Sequence, residues 1–243
     1  MNAHRDEFVS LVCKYDEIGC LEYIDKYDDF YDAVMNNYCR QNMLQLTCTY
    51  KLTKVAIALI DRKCDLTHQN SDGFSALMYA NYYGLLNVTK YIIDKCTDYT
   101  TRTTRYGLSE MMYLCNNRDA TNVIKMIDRG YDIYYKNVDD RSLFTTATKF
   151  YFRNEQIIKK LIDIDTNFIK EFNTIYDDPK HKKDELYYDI AKYCTDKRDA
   201  YKCEIIVTMN DKSTTNALYQ SFHTTYAVGL VDVICDFLIS RKS

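Results

Sequence analysis

The sequence predicts an all-α fold: a solenoid of helix-turn-helix repeats stacked in single file. Three observations carry this. Residues 70–95, NSDGFSALMYANYYGLLNVTKYIIDK, read as a turn, a short helix, a second turn and a longer helix. The apolar positions of that segment recur in its neighbours at separations of 33 and 34 residues. The chain has only six glycines, and five of them fall at the turns such a repeat requires. A unit of this length cannot bury its own apolar face, so it needs neighbours on both sides.

Residues 1–40 read as an N-terminal capping unit. Phe8, Leu11 and Val12 mark one amphipathic segment and Ile18, Leu21, Tyr23 and Ile24 a second, with Asp16 between them. A terminal unit of a solenoid is atypical because one of its faces meets water. Residues 41–163 hold the clearest repeats. In the first, Leu44, Thr47, Tyr50, Val55 and Leu59-Ile60 match Leu77, Ala80, Tyr83, Val88 and Ile92-Ile93, all at a separation of 33. In the central unit Asp72-Gly73 is a turn signal, Ser75 opens the first helix, and Gly84 separates it from the second. The next unit repeats Gly73, Ser75, Leu77 and Ile92-Ile93 as Gly107, Ser109, Met111 and Met126-Ile127, at a separation of 34. Gly130 then stands where a left-handed residue ends a helix. Ser142, Phe144 and Ala147, followed by Ile157, Ile158, Leu161 and Ile162, mark a fourth pair.

Residues 164–209 diverge. The charged stretch Asp177 to Asp184 contains the only proline, Pro179, and reads as a surface loop. Leu186, Ile190 and Ala191, then Ile205, Ile206 and Met209, predict a divergent helix pair. Residues 210–243 read as a last repeat with a C-terminal cap. Leu218 and Phe222 mark its first helix, Gly229–Val233 matches Gly84–Val88, Phe237-Leu238-Ile239 closes the second helix, and Arg241-Lys242 suit a helix end. The whole comes to six or seven helix pairs in one continuous array.

Ser75-Ala76-Leu77-Met78 stands where the ankyrin family carries T-P-L-H. With the turn, helix and glycine pattern above, the chain resembles a divergent ankyrin-repeat protein, and its Tyr-, Asn-, Ile-, Lys- and Asp-rich composition resembles such proteins of large DNA viruses or protists. Ser75 can bond nearby backbone as the family's threonine does. The proline and histidine are missing from every unit. The resemblance therefore implies an array short of the hydrogen bonds that histidine gives between neighbours, less regular and less stable than a consensus one.

Composition bounds the function. Charged residues make up 28% of the chain and nearly balance, with a formal net charge of -3, which argues against a nucleic-acid binder. The piece Lys180–Lys183 is too short and too flanked by acids for a basic surface. The stretch MNAHRDEFVSLVCKYDE has charges inside its apolar run and does not read as a signal peptide, and no run approaches the ~20 apolar residues that span a bilayer. These features predict a soluble cytoplasmic protein, in the host cytoplasm for a viral source, monomeric on its own and without membrane contact. The ten cysteines are scattered with no CxxC spacing, and most lie in apolar helical stretches, where a thiol acts as a small hydrophobe.

Catalytic and cofactor chemistry finds little footing. His4, His68, His181 and His223 form no zinc-ligand spacing with each other or with cysteine. There is no phosphate loop and no nucleophile elbow. The acidic pairs Asp16-Glu17, Asp28-Asp29, Asp139-Asp140 and Asp177-Asp178 sit at turns, where aspartate caps helices. The expectation is no enzyme, no cofactor and no metal.

The resemblance implies a non-catalytic scaffold that holds a partner protein on a concave face, such as a viral modulator of a host protein. In the family, turn fingers and first-helix ends line that face. Here these are Ser71, Asp72 and Phe74, then Arg105, Tyr106 and Leu108, then Val138, Asp139 and Arg141. The helix ends are Tyr50, then Tyr82-Tyr83, then Asn116-Asn117, then Lys149-Phe150. Tyrosine, present 24 times, is the residue that stands out on this stripe, because aromatics and Arg grouped on one surface are what binding hot spots favour. Two other readings stay open: a substrate adaptor for a ubiquitin ligase, and an enzyme with its site in residues 164–209.

Overall fold

The computed structural model describes residues 2–149, 154–176, 185–222 and 228–238. Fourteen α-helices run through the described residues, and no strand does. None of these helices is long and apolar enough to cross a membrane. The chain divides into two compact units, Met1–Asn154 and Glu155–Ser243.

The described residues of the first unit contain nine helices: α1 Asn2–Cys13, α2 Glu17–Lys26, α3 Met43–Thr49, α4 Thr53–Asp61, α5 Ala76–Tyr82, α6 Leu86–Lys95, α7 Glu110–Asn116, α8 Ala120–Asp128 and α9 Leu143–Ala147. Helix α1 and the short helices α3, α5, α7 and α9 pack in one row, and α2, α4, α6 and α8 in a second; α3–α4, α5–α6 and α7–α8 form hairpins between the rows. Core residues come from both rows. Leu44, Met78 and Met112 from the first row, with Val55, Leu59, Val88, Ile93, Val123 and Met126 from the second, are wholly buried. Removing such a side chain from water contributes ~1.5–3 kcal/mol.

The first-row helices α3, α5, α7 and α9 start in the same way. Asn42, Ser75, Ser109 and Ser142 are the N-caps, and each side chain accepts the backbone N–H three residues on. This satisfies one of the donors that a helix start leaves orphaned. Just before each cap an isolated antiparallel bridge closes a turn: Val34 with Asn42, Gln69 with Ser75, Thr103 with Ser109, and Lys136 with Ser142. The turns need a left-handed residue, and Arg40, Gly73, Gly107 and Asp140 supply it with φ of 53°, 79°, 70° and 56°. Between the helices of each pair Lys51, Gly84 and Arg118 do the same, at 59°, 75° and 62°.

Three details refine the expectations. Gly19, out of phase with the other glycines, lies beside the Asp16 cap of α2; a Cβ there would come within 2.3 Å of the Asp16 carboxylate that accepts the Gly19 N–H. Ile18 is 72% exposed, so Cys20 and Ile24 make the buried face of α2 without it. Side chains bond across the junctions between neighbouring units. Gln45 donates from Nε2 to the carbonyls of His68 at 3.1 Å and Phe74 at 2.8 Å, while its Oε1 accepts from the Asn42 N–H.

The second unit contains α10 Glu155–Ile164, α11 Asn167–Tyr176, α12 Glu185–Asn210, α13 Ala217–Phe222 and α14 Val228–Leu238. Ile157, Ile158, Leu161 and Ile162 of α10, Phe168, Ile169 and Phe172 of α11, and Leu186, Tyr187 and Ile190 of α12 are buried. Phe172 stacks on Tyr187 with ring centroids 5.8 Å apart. Asp163 binds α10 to α12, accepting from Tyr193 and from Lys197 at 2.5 Å each. Lys202 reaches Asp232 at 2.6 Å and so binds α12 to α14.

Here the sequence misleads twice. The pair expected over 184–209 is one 26-residue helix, α12, because no glycine or proline interrupts residues 185–210. Gly229 lies inside the first turn of α14 rather than between helices, and Val233 is exposed where its counterpart Val88 is buried; Val231 and Cys235 face the core instead. The stretch 177–184 expected as a charged loop, with Pro179 and His181, the residues His223, Ile239, Arg241 and Lys242, and the side chains of Leu218, Phe222, Phe237 and Leu238 lie outside the described residues.

Candidate functional site

The turns before α3, α5 and α7 are joined to one another through the backbone. The Ser71 N–H donates to the Cys39 carbonyl at 3.0 Å, and the Arg105 N–H donates to the Asp72 carbonyl at 2.9 Å. Ser71 adds a bond from its hydroxyl to the Tyr38 carbonyl at 2.7 Å. The turns therefore form a stapled row, and their side chains are held in register.

Within each turn an amide or hydroxyl side chain fixes the bend. Asn70 accepts from the N–H groups of Asp72 and Phe74. Asn137 accepts from those of Asp139 and Arg141, Asn37 from that of Arg40, and Thr104 from that of Leu108. Asx turns of this kind satisfy backbone donors that no helix or sheet reaches.

A cavity of about 330 Å³ opens where the second turn meets the ends of α5 and α7. Asp72, Phe74, Tyr79, Tyr82, Tyr83 and Tyr113 line it. Phe74 meets Tyr113 edge-on, at 84° with centroids 5.3 Å apart, and Tyr82 meets Tyr83 at 88° and 5.1 Å. Tyr79 and Tyr83 lie nearly parallel at 6.3 Å. Burial pushes the Tyr79 and Tyr113 hydroxyls above their ordinary range, so both rings are neutral at physiological pH. At the rim Arg105 pairs with Asp72 Oδ1 at 2.8 Å and lies over the Tyr106 ring, 4.8 Å from its centroid.

Four of the residues singled out from the sequence thus meet in one place: Asp72, Phe74, Tyr82 and Tyr83. Arg105 and Tyr106 adjoin them. Tyr82 and Tyr106 are 67% and 65% exposed, whereas Phe74 and Tyr83 are half-buried. Ser71 and Asp139 are exposed on their turns, and Arg141 is half-buried. Tyr50 is half-buried and bonds the Cys13 thiol at 3.3 Å. Asn117 serves the fold: its Nδ2 donates to Asn81 Oδ1 at 2.7 Å, in a buried network that runs on through Asp119 to Asn122. Asn116 is half-buried and its Oδ1 has no hydrogen-bond partner. Burial, and then the nearby Arg141, lowers the Lys149 ammonium below its ordinary value. Phe150 lies outside the described residues.

Sequence reasoning missed Tyr79 and Tyr113, which complete the cavity, and Tyr38, which is 85% exposed on the first turn. The signal was the period itself. Tyr79 and Tyr113 stand 34 residues apart, as Gly73 and Gly107 do, and Tyr38 stands 33 before Ser71. Among the described residues no group of three or more His, Cys, Asp or Glu side chains is placed to hold a metal ion. All ten cysteines are free, and only Cys13, Cys39 and Cys203 are exposed; burial pushes the Cys48 and Cys115 thiols up to about 12. No family model matches the chain, and no curated protein matches it in sequence.

Proposed function

We propose that this chain is a non-catalytic scaffold of ankyrin type that binds another protein on the face formed by the turns and first-row helices of residues 1–154. Support for the ankyrin reading comes from repetition in kind. Cap and left-handed turn residue recur at 33 or 34 residues over four turns, each closed by a bridge. Support for the binding reading comes from one observation above the others: the aromatic cavity around Phe74 and Tyr83 continues into exposed Tyr82, Arg105 and Tyr106 on turns that hydrogen bonds hold rigid. Aromatic and Arg side chains on a preorganised surface lose little freedom on docking, and truncating such anchors costs ~2 kcal/mol or more each.

The test uses the full chain as bait in affinity purification read by mass spectrometry. The variant carries Tyr82→Ala, Tyr83→Ala and Tyr106→Ala together. Proteins retained by the wild type are expected to be lost from the variant while its far-UV circular dichroism is unchanged. Equal retention by a folded variant rejects this face.

A further inference from the structure

The cavity has a chemistry more specific than that of an apolar slot. Five of its six lining residues carry aromatic rings, and two pairs of these rings meet within a few degrees of a right angle. Rings set this way give the lining ring planes in more than one orientation. The sixth residue is a carboxylate. Arg105 occupies Asp72 Oδ1, while Oδ2 takes no hydrogen bond among the described residues. We propose that this cavity is an aromatic cage for a methylated ammonium group, and that its occupant is the methylated lysine side chain of the partner protein. This rests on the protein-binding reading above and adds to it the group that is recognised.

Three considerations select a methylated cation. An apolar plug would take Asp72 Oδ2, which Arg105 does not bond, out of water, which is costly, whereas a second cation is drawn to it. An unmodified lysine head brings three N–H donors that compete for one free carboxylate oxygen, Asp72 Oδ2, and the tyrosine hydroxyls; methyl groups remove donors and present carbon to the rings. The same surface already holds a cation on a ring, in the Arg105 guanidinium over Tyr106. The volume, about 330 Å³, lies at the low end for ligand pockets and suits one side chain rather than a larger cofactor.

The cage is also fixed in advance. Asn70 Nδ2 donates to the Tyr79 hydroxyl at 2.9 Å, and the same side chain holds the turn that carries Asp72 and Phe74. Ring positions set before the ligand arrives need no ordering on binding.

The test is nuclear magnetic resonance titration of the full chain, with its tyrosine rings carbon-13 labelled. The probes are Nα-acetyl-trimethyllysine amide, its neutral carbon isostere with a tert-butyl head, the unmethylated lysine amide, and choline. Shifts of the Tyr79, Tyr82, Tyr83 and Tyr113 rings are expected with the trimethyllysine probe. Its affinity should exceed that of the neutral isostere and of unmethylated lysine by about fivefold or more. Tyr83→Leu, which keeps bulk but removes a ring, should abolish that preference; Tyr82→Phe, which keeps the ring, should retain it. Equal binding of cation and isostere, or no ring shifts with any probe, overturns the cage. Choline binding tighter than trimethyllysine overturns the lysine assignment in favour of a small quaternary amine. Loss of partner capture in the triple alanine variant, together with no cation binding, would leave the docking face standing and remove only the cage.

Discussion

Asn70 donates to the Tyr79 hydroxyl at 2.9 Å while its carbonyl oxygen accepts from the N–H groups of Asp72 and Phe74. One buried amide thus ties a turn to a wall of the cavity. Its donor and its acceptor serve different parts of the site, so they can be separated by mutation. Asn70→Ala strands two backbone donors and is expected to cost ~2–3 kcal/mol, because unsatisfied buried groups carry their full desolvation penalty. Tyr79→Phe removes only the hydroxyl and is expected to cost ~1 kcal/mol. The double variant should fall short of the sum by ~0.5–1 kcal/mol, the coupling of a direct contact. Urea unfolding of the four proteins measures the cycle, and strict additivity would show that the bond carries no energy.

The left-handed positions give a prediction with opposite signs at related sites. Gly73 has φ of 79°, and a Cβ there would come within 2.5 Å of the Thr103 carbonyl oxygen. Gly84 has φ of 75° with nothing within 4 Å. Gly84→Ala is therefore expected to cost only the ~1–2 kcal/mol of left-handed strain, and Gly73→Ala at least ~1 kcal/mol more, because a backbone carbonyl cannot step aside. Lys51, with φ of 59° in the slot that Gly84 fills one unit later, already carries that strain. Lys51→Gly is expected to stabilise by up to ~1 kcal/mol, less the chain entropy that glycine restores to the unfolded state. Thermal melts of the three variants check the order.

Those slots also show how far the sequence can be read. The register was visible where glycine marks it, at 73, 84, 107 and 130, and in the apolar matches of Leu44 with Leu77 and Val55 with Val88. Asp140 fills such a slot and was marked as a turn by the pair Asp139-Asp140, but Arg40, Lys51 and Arg118 occupy the same left-handed slots with nothing in their identity to announce the turn; tertiary structure imposes it. Tyr82 and Tyr83 were legible as surface candidates because they lie beyond the end of the apolar run, and Asp72 and Phe74 because the resemblance implies fingers at that turn. Tyr79 and Tyr113 were not, since a tyrosine inside a short helix looks like core until the neighbouring unit is placed against it. The length of α12 was lost for a different reason: its apolar residues thin out after Ile190, and the gap resembled a break that no glycine or proline makes.

A last prediction concerns a charged group that no pattern foretold. Glu110 starts α7 almost wholly buried, accepts a hydrogen bond from the Ser75 hydroxyl, and faces Arg102 Nη2 at 3.3 Å. Arg102 is itself buried, with Asp98 at 3.1 Å and its Nε unpartnered. Burial raises the Glu110 carboxyl above its ordinary 4.5, and Arg102 offsets this only in part. A carboxyl raised in the folded state gives stability that is whole below 4.5 and is lost as pH rises through its folded value. Arg102→Met removes the main offset, so the folded value climbs further and the variant should weaken steadily from pH 4.5 upward, by ~3 kcal/mol or more at pH 7. Adding Glu110→Gln to Arg102→Met removes the titrating group, and that double variant is expected to recover most of the loss and to show no such slope. Urea midpoints of wild type, single and double variants between about pH 4.5 and 8 measure this. A pH-independent penalty for Arg102→Met would mean that packing, not the buried carboxylate, sets its cost.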